Sequence, residues 1–299
     1  MVLQMAGSNP TRGLTLFHCP MKASPSQTIV FITGAFVSNS CWNEWKAFFE
    51  EYGYTCLAPA WPHKDAPVLT LRSRQPDAQV ASIRLTQLVE YFADIVKRLP
   101  EKPILIGHSM GGLLTQLLMQ QGLAAAGVAI HSVAPQGVIT FKWSFYRSVW
   151  GPLGYFTPVD ESFLMSFRQW QYAFTNGMTG AEQRAAYRDF AIPESKRLSR
   201  DGLTAAAKID FKRPHAPLLF LAGSTDHIIP ASLNYSNYRR YQHAGSVTAY
   251  RELPGRNHFV LGQSGWREDA FCILTWLHQL TEATTPGASQ PVALAMPRH

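Results

Sequence analysis

Ile104-Leu105-Ile106-Gly107-His108-Ser109-Met110-Gly111-Gly112 is the stretch that decides the fold. Ile104 to Ile106 is the apolar run of a buried strand. A Gly-x-Ser-x-Gly turn follows, and Leu113, Leu114, Leu117 and Leu118 then recur with the spacing of an amphipathic helix. A serine between such a strand and helix sits on a sharp turn that lifts its hydroxyl above the sheet edge. Its backbone is strained there, and its neighbours must lack Cβ atoms to make room. The helix start offers free N–H groups and a positive dipole end to an oxyanion developing beside the serine. Ser109 is the candidate nucleophile.

A lone serine is a poor nucleophile and needs a base held by an acid. Leu218-Leu219-Phe220-Leu221-Ala222-Gly223 is a second buried-strand pattern, followed by Ser224-Thr225-Asp226-His227-Ile228-Ile229-Pro230. Val247 to Leu253 reads as a further strand, and Pro254-Gly255-Arg256-Asn257-His258-Phe259 places a histidine just after it. Asp226 and His258 would then project from neighbouring strand ends toward Ser109, with His258 the general base and Asp226 its orienting acid. His227, adjacent to Asp226, comes too early in the order and reads as structural or as a wall of the site. The loop after Val128 to Val133 (Ala134-Pro135-Gln136-Gly137) offers no rival acid.

These motifs resemble the α/β-hydrolase superfamily over roughly residues 13 to 281. The family order is Ser, then Asp or Glu, then His, which this chain follows. The chain also resembles a group of hydrolases with an Ile-Gly-His-Ser-x-Gly-Gly elbow and a Gly-Trp-Arg start to the last helix, here Gly265-Trp266-Arg267. The resemblance implies an oxyanion hole from two backbone N–H groups. One belongs to Met110, after the nucleophile. The other belongs to Ala35, in the loop that follows the strand Thr28 to Thr33. That segment, Thr33-Gly34-Ala35-Phe36, is similar to the family's His-Gly-x loop but has Thr33 where histidine is commoner.

The chain has 299 residues, enough for one large domain with a sizeable core; 46% are apolar and 16% charged, which excludes a disordered chain. The net charge is +7, yet the basic residues are dispersed, so no nucleic-acid partner is expected. Cys19, Cys41, Cys56 and Cys272 lie far apart and read as free thiols of a reducing compartment. Met1 to Pro10 lacks a signal-peptide pattern, and no 18-residue apolar run occurs, so the expectation is a cytoplasmic protein without a membrane span. No zinc spacing or dinucleotide fingerprint appears, so no metal or cofactor is expected. The oligomeric state is not legible.

Strands predicted near 13–18, 28–33, 54–58, 103–107, 127–133, 217–222 and 247–253 alternate with helices near 42–52, 78–98, 110–121, 231–241 and 266–281. This is an α/β domain with a mostly parallel central sheet flanked by helices. Residues 283–299 read as a loose tail. The stretch 136–206 interrupts the alternation as an inserted helical cap, dense in aromatics from Phe141 to Phe174. A cap of this kind over a serine suggests an apolar pocket. Phe36, Trp42, His108, Trp143 and Trp170 are the candidate pocket residues, with Trp61 a further one.

The expected function is hydrolysis of an ester-like bond in a small, largely apolar molecule, by way of an acyl-enzyme. Two alternatives share these parts. One is a cofactor-free lyase or oxygenase that uses the His–Asp pair as a base. The other is a receptor for a small hydrophobic ligand that retains the triad.

Overall fold

The computed structural model describes residues 25–283. Six strands form one sheet: β1 Thr28–Ile32, β2 Thr55–Leu57, β3 Ile104–His108, β4 Ala126–Ile130, β5 Leu218–Gly223 and β6 Thr248–Leu253. They lie in the order β2-β1-β3-β4-β5-β6, and every neighbouring pair is parallel. The four central strands are buried along their whole length, as a sheet covered on both faces requires. Ile32, Gly107, Ala129, Phe220 and Tyr250 pair in one row across the sheet. The loops after β1, β3, β4, β5 and β6 therefore leave at a common edge.

The helices follow in chain order: α1 Asn43–Glu51, α2 Val68–Ser73, α3 Ala78–Ser82, α4 Leu85–Lys97, α5 Met110–Gln120, α6 Trp143–Leu153, α7 Phe167–Ala173, α8 Gly180–Phe190, α9 Lys196–Asp201, α10 Ala231–Tyr238 and α11 Trp266–Ala283. Strand alternation divides the core. Ile29, Phe31 and Ile106 face one apolar cluster with Trp45 and Leu277, while Val30, Ile32 and Leu105 face the other with Phe92 and Leu114. Helices α6 to α9 form the insert between β4 and β5, with α6 packed on α7 and α9, and α7 on α8.

Two elements depart from the periodicity. The helix expected over 78–98 is broken at Ile83, whose backbone is extended. The insert holds the break open: Ser195 Oγ lies within donating distance of the Ala81 and Ile83 carbonyls, and Asp201 Oδ2 accepts the Leu85 N–H. The strand expected over 127–133 ends at Ile130, because His131 turns to φ 45°. The expected strand at 13–18 and the tail beyond Ala283 lie outside the described residues.

Candidate active site

Ser109 occupies the turn between β3 and α5 with φ 55° and ψ −116°, a conformation L residues rarely adopt. The flanking glycines make the turn sterically feasible. A Cβ on Gly107 would fall 2.0 Å from the Gly111 carbonyl oxygen, and one on Gly111 would fall 2.0 Å from that of Ile32. No side chain fits at either place.

The loops after β5 and β6 bring Asp226 and His258 to this serine. His258 Nε2 lies 3.0 Å from Ser109 Oγ, and Nδ1 lies 2.7 Å from Asp226 Oδ2. An ionised carboxylate only accepts, so Nδ1 carries the proton and Nε2 accepts from the serine hydroxyl. Asp226 Oδ1 accepts the N–H groups of Ile228 and Ile229, both at 2.8 Å. Burial would raise the Asp226 carboxyl, but His258 and His131 outweigh it and hold it well below the usual carboxylate range. All three side chains are buried.

Two more imidazoles surround the triad. His131 Nδ1 lies 3.0 Å from Asp226 Oδ2, within ion-pair reach but off the line of a hydrogen bond. The loop after β4 carries no acid, and a reading of the sequence for acids alone misses this histidine. The available signal was a polar residue ending an apolar strand at the catalytic edge. His108 was expected in the pocket but lies behind the triad. Its Nε2 donates to the His258 carbonyl at 2.8 Å, and its ring packs 4.8 Å from that of His258. Burial, with the two neighbouring imidazoles, pushes His108 well below the usual histidine range, so it is neutral. Nitrogens of His108, His131 and His258 lie within 4.8 Å of one another, but a cation there would compete with the Ser109 and Asp226 contacts of His258. His227, expected to be structural, places Nδ1 2.8 Å from the Tyr172 carbonyl.

A cavity of about 460 Å³ opens above the serine, with Ala35, Phe36, Ser109, Met110 and His258 in its wall. The Ala35 and Met110 N–H groups have no acceptor among the described residues. The rest of the lining is mainly apolar and includes Phe145, Val149, Leu153, Met165, Phe174 and Ile228.

Four expected pocket tryptophans lie elsewhere. Trp42 is fully buried between Phe31 and Trp45, in the core under β1. Trp170 is fully buried and stacked on Phe174, with ring centroids 4.2 Å apart. Trp143 starts α6 on the outer surface, 74% exposed. Trp61 is buried as well, beneath the Lys64 ammonium and away from the cavity. Phe36 alone of the five candidates lines the cavity.

The model of the alpha/beta hydrolase family matches residues 29–268. The chain belongs to the alpha/beta hydrolase family. Among curated proteins it is 33% identical over 107 residues to a Mycoplasma pneumoniae protein named "Putative esterase/lipase 3". That match spans 36% of this chain and 36% of the relative, so the chain is matched to about a third of the relative's length. Among solved structures, it is similar to the Paleococcus ferrophilus monoacylglycerol lipase, with a TM-score of 0.58 and 18% identity over 84% of this chain and 94% of that one. A pyrethroid hydrolase from Sphingobium faniae JZ-2 gives 0.58 and 18% over 84% and 96%. An extracellular alpha/beta-hydrolase from a Paenibacillus species gives 0.60 and 19% over 83% and 98%. At these identities the solved structures speak for the fold alone. No helix among the described residues is long and apolar enough to cross a membrane.

Proposed function

We propose that this family member is a serine esterase for small, largely apolar esters. The observation that carries the reading is the unbroken chain Ser109–His258–Asp226 at the wall of an apolar cavity. Names of the similar proteins point the same way, since they include a lipase and a pyrethroid hydrolase.

In this reading Ser109 Oγ attacks the ester carbonyl carbon while its proton passes to His258 Nε2. Asp226 stabilises the resulting imidazolium. The Ala35 and Met110 N–H groups receive the tetrahedral oxyanion. Collapse of the intermediate breaks the C–O bond, and the imidazolium proton goes to the leaving alkoxide. A water then takes the alcohol's place, loses its proton to Nε2 and attacks the acyl-enzyme. The second collapse releases the acid and returns the proton to Ser109. Residues 136–206 act as the cap that holds the apolar part of the substrate.

The test is a p-nitrophenyl ester series of increasing chain length on the purified protein and on Ser109→Ala. Wild type should turn over the series, and the variant should lose about 10⁴-fold or more in kcat, because the triad works as a unit. Near-normal turnover by folded Ser109→Ala would contradict the reading.

A further inference from the structure

The Ala35–Ser38 loop is fastened to the insert. Phe36 has φ 68°, a strained value for a bulky residue that persists only where surrounding bonds impose it. Its N–H donates to Glu194 Oε2 at 3.1 Å, and its carbonyl accepts the Ile192 N–H at 2.9 Å. Val37 bridges Ala191 in antiparallel fashion, and the Ser38 N–H donates to the Phe190 carbonyl at 2.9 Å. Glu194 is itself fixed on several sides. Its Oε1 accepts the Ser195 N–H at 2.8 Å, Lys64 Nζ donates to Oε2, and its backbone pairs with Phe163 in both directions. Thr33, at the end of the preceding strand, leaves its buried Oγ1 without a partner and does not brace the loop.

Glu194 is fully buried and Lys64 nearly so. Burial lowers the Lys64 ammonium from the usual lysine range while Glu194 opposes that shift, so the pair is an electrostatic compromise. A buried ion pair is weak evidence for stability, because apolar residues of similar volume usually serve as well or better. What apolar residues could not supply is an acceptor for the Phe36 N–H.

We propose that Glu194, with Lys64 as its counter-ion, is the positioning residue of the oxyanion loop. It holds the Phe36 N–H, fixes the kink at φ 68°, and thereby aims the neighbouring Ala35 N–H at the carbonyl oxygen of the substrate. The oxyanion hole then has two sources. Met110 is set by the elbow, and Ala35 is set by the return segment of the insert. This inference rests on the serine-esterase reading.

Two double variants separate positioning from stability. Lys64→Met/Glu194→Gln removes both charges and keeps an amide oxygen for Phe36. Lys64→Met/Glu194→Met removes the acceptor as well. Both should melt close to wild type. The Met/Met variant should lose roughly 10- to 100-fold in kcat for p-nitrophenyl acetate with KM within about 2-fold, a partial loss of one oxyanion donor. The Met/Gln variant should recover most of that kcat. Amide hydrogen exchange across residues 34–38 should speed up in the Met/Met variant only. Unchanged kcat in folded Met/Met protein, equal losses in the two variants, or unchanged exchange would overturn the proposal. If the Met/Met protein does not fold, Glu194→Asp carries the test. It keeps the ion pair and draws the carboxylate back from Phe36, and wild-type kcat there would overturn the proposal. A wild type that turns over no ester contradicts the esterase reading instead, and amide exchange alone then decides this one.

Discussion

The two halves of the insert are both rich in aromatics and do different work. In residues 136–165, Phe141, Trp143, Trp150 and Phe156 are between 66% and 87% exposed, and Phe145, Tyr146, Val149 and Leu153 line the cavity. In residues 166–195, Trp170 is fully buried and stacked on Phe174, whose ring also reaches the cavity, and the chain around them bonds to the loops that carry Asp226 and His258. The Phe174 carbonyl accepts the Phe259 N–H at 2.9 Å, beside His258. The Asn176 carbonyl accepts from Asn257 Nδ2, and Asn176 Nδ2 donates to the Thr225 carbonyl, beside Asp226. The same half meets the Ala35–Ser38 loop through Phe190, Ala191 and Ile192, continuing to Glu194. Aromatic content does not distinguish a wall from a buttress; hydrogen bonds to the catalytic loops do.

The largest expected effect lies in the centre that both halves serve. Asp226→Asn should cost about 10³–10⁴ in kcat for every ester, because His258 then favours the wrong tautomer. Its stability effect has a definite sign. The folded carboxyl is held below its ordinary range, so its contribution is present above the unfolded carboxyl's pKa, about 3.9, and is lost as pH falls through the folded value. Urea midpoints of wild type and Asp226→Asn should differ most near neutral pH and converge on acidification. A gap that widens in acid would contradict this.

Breaking the buttress comes next. Trp170→Ala empties a fully buried site and should cost about 3–5 kcal/mol of stability. Any folded fraction should lose acetate and long-chain turnover by the same factor, since the His258 loop loses its support. Loss confined to long chains would place Trp170 in the wall after all. Phe145→Ala should do the reverse. Roughly 1–3 kcal/mol of binding should disappear for long acyl chains, with acetate turnover nearly intact and little change in melting. Trp143→Ala should change neither ester by more than about 2-fold, as expected of a surface residue outside the cavity. A chain-length effect there would sink the division between wall and outer surface.

Much of this site was legible because its signals are local. A glycine-flanked serine between an apolar strand and a helix reads from nine consecutive residues, and Asp226 and His258 each follow an apolar run directly. What escaped depends on distant partners. The break at Ile83 is imposed by Ser195 and Asp201, more than a hundred residues away. Trp42 reads as a pocket residue, yet a short 3-10 turn over Asn39–Trp42 tucks it beneath β1. Lys64 and Glu194 carry no motif, and only the folded chain makes them a pair. His131 is invisible to a search for acids, because it meets Asp226 by geometry and not by spacing.

The central claim is that Ser109 forms a covalent bond to the substrate. Its most direct test is reaction with a fluorophosphonate probe, followed by peptide mapping. The account predicts one label per chain, on Ser109, with p-nitrophenyl acetate turnover falling in step with labelling and with slower labelling of Asp226→Asn. Turnover that survives complete labelling of Ser109, or a label carried by another residue, would contradict it.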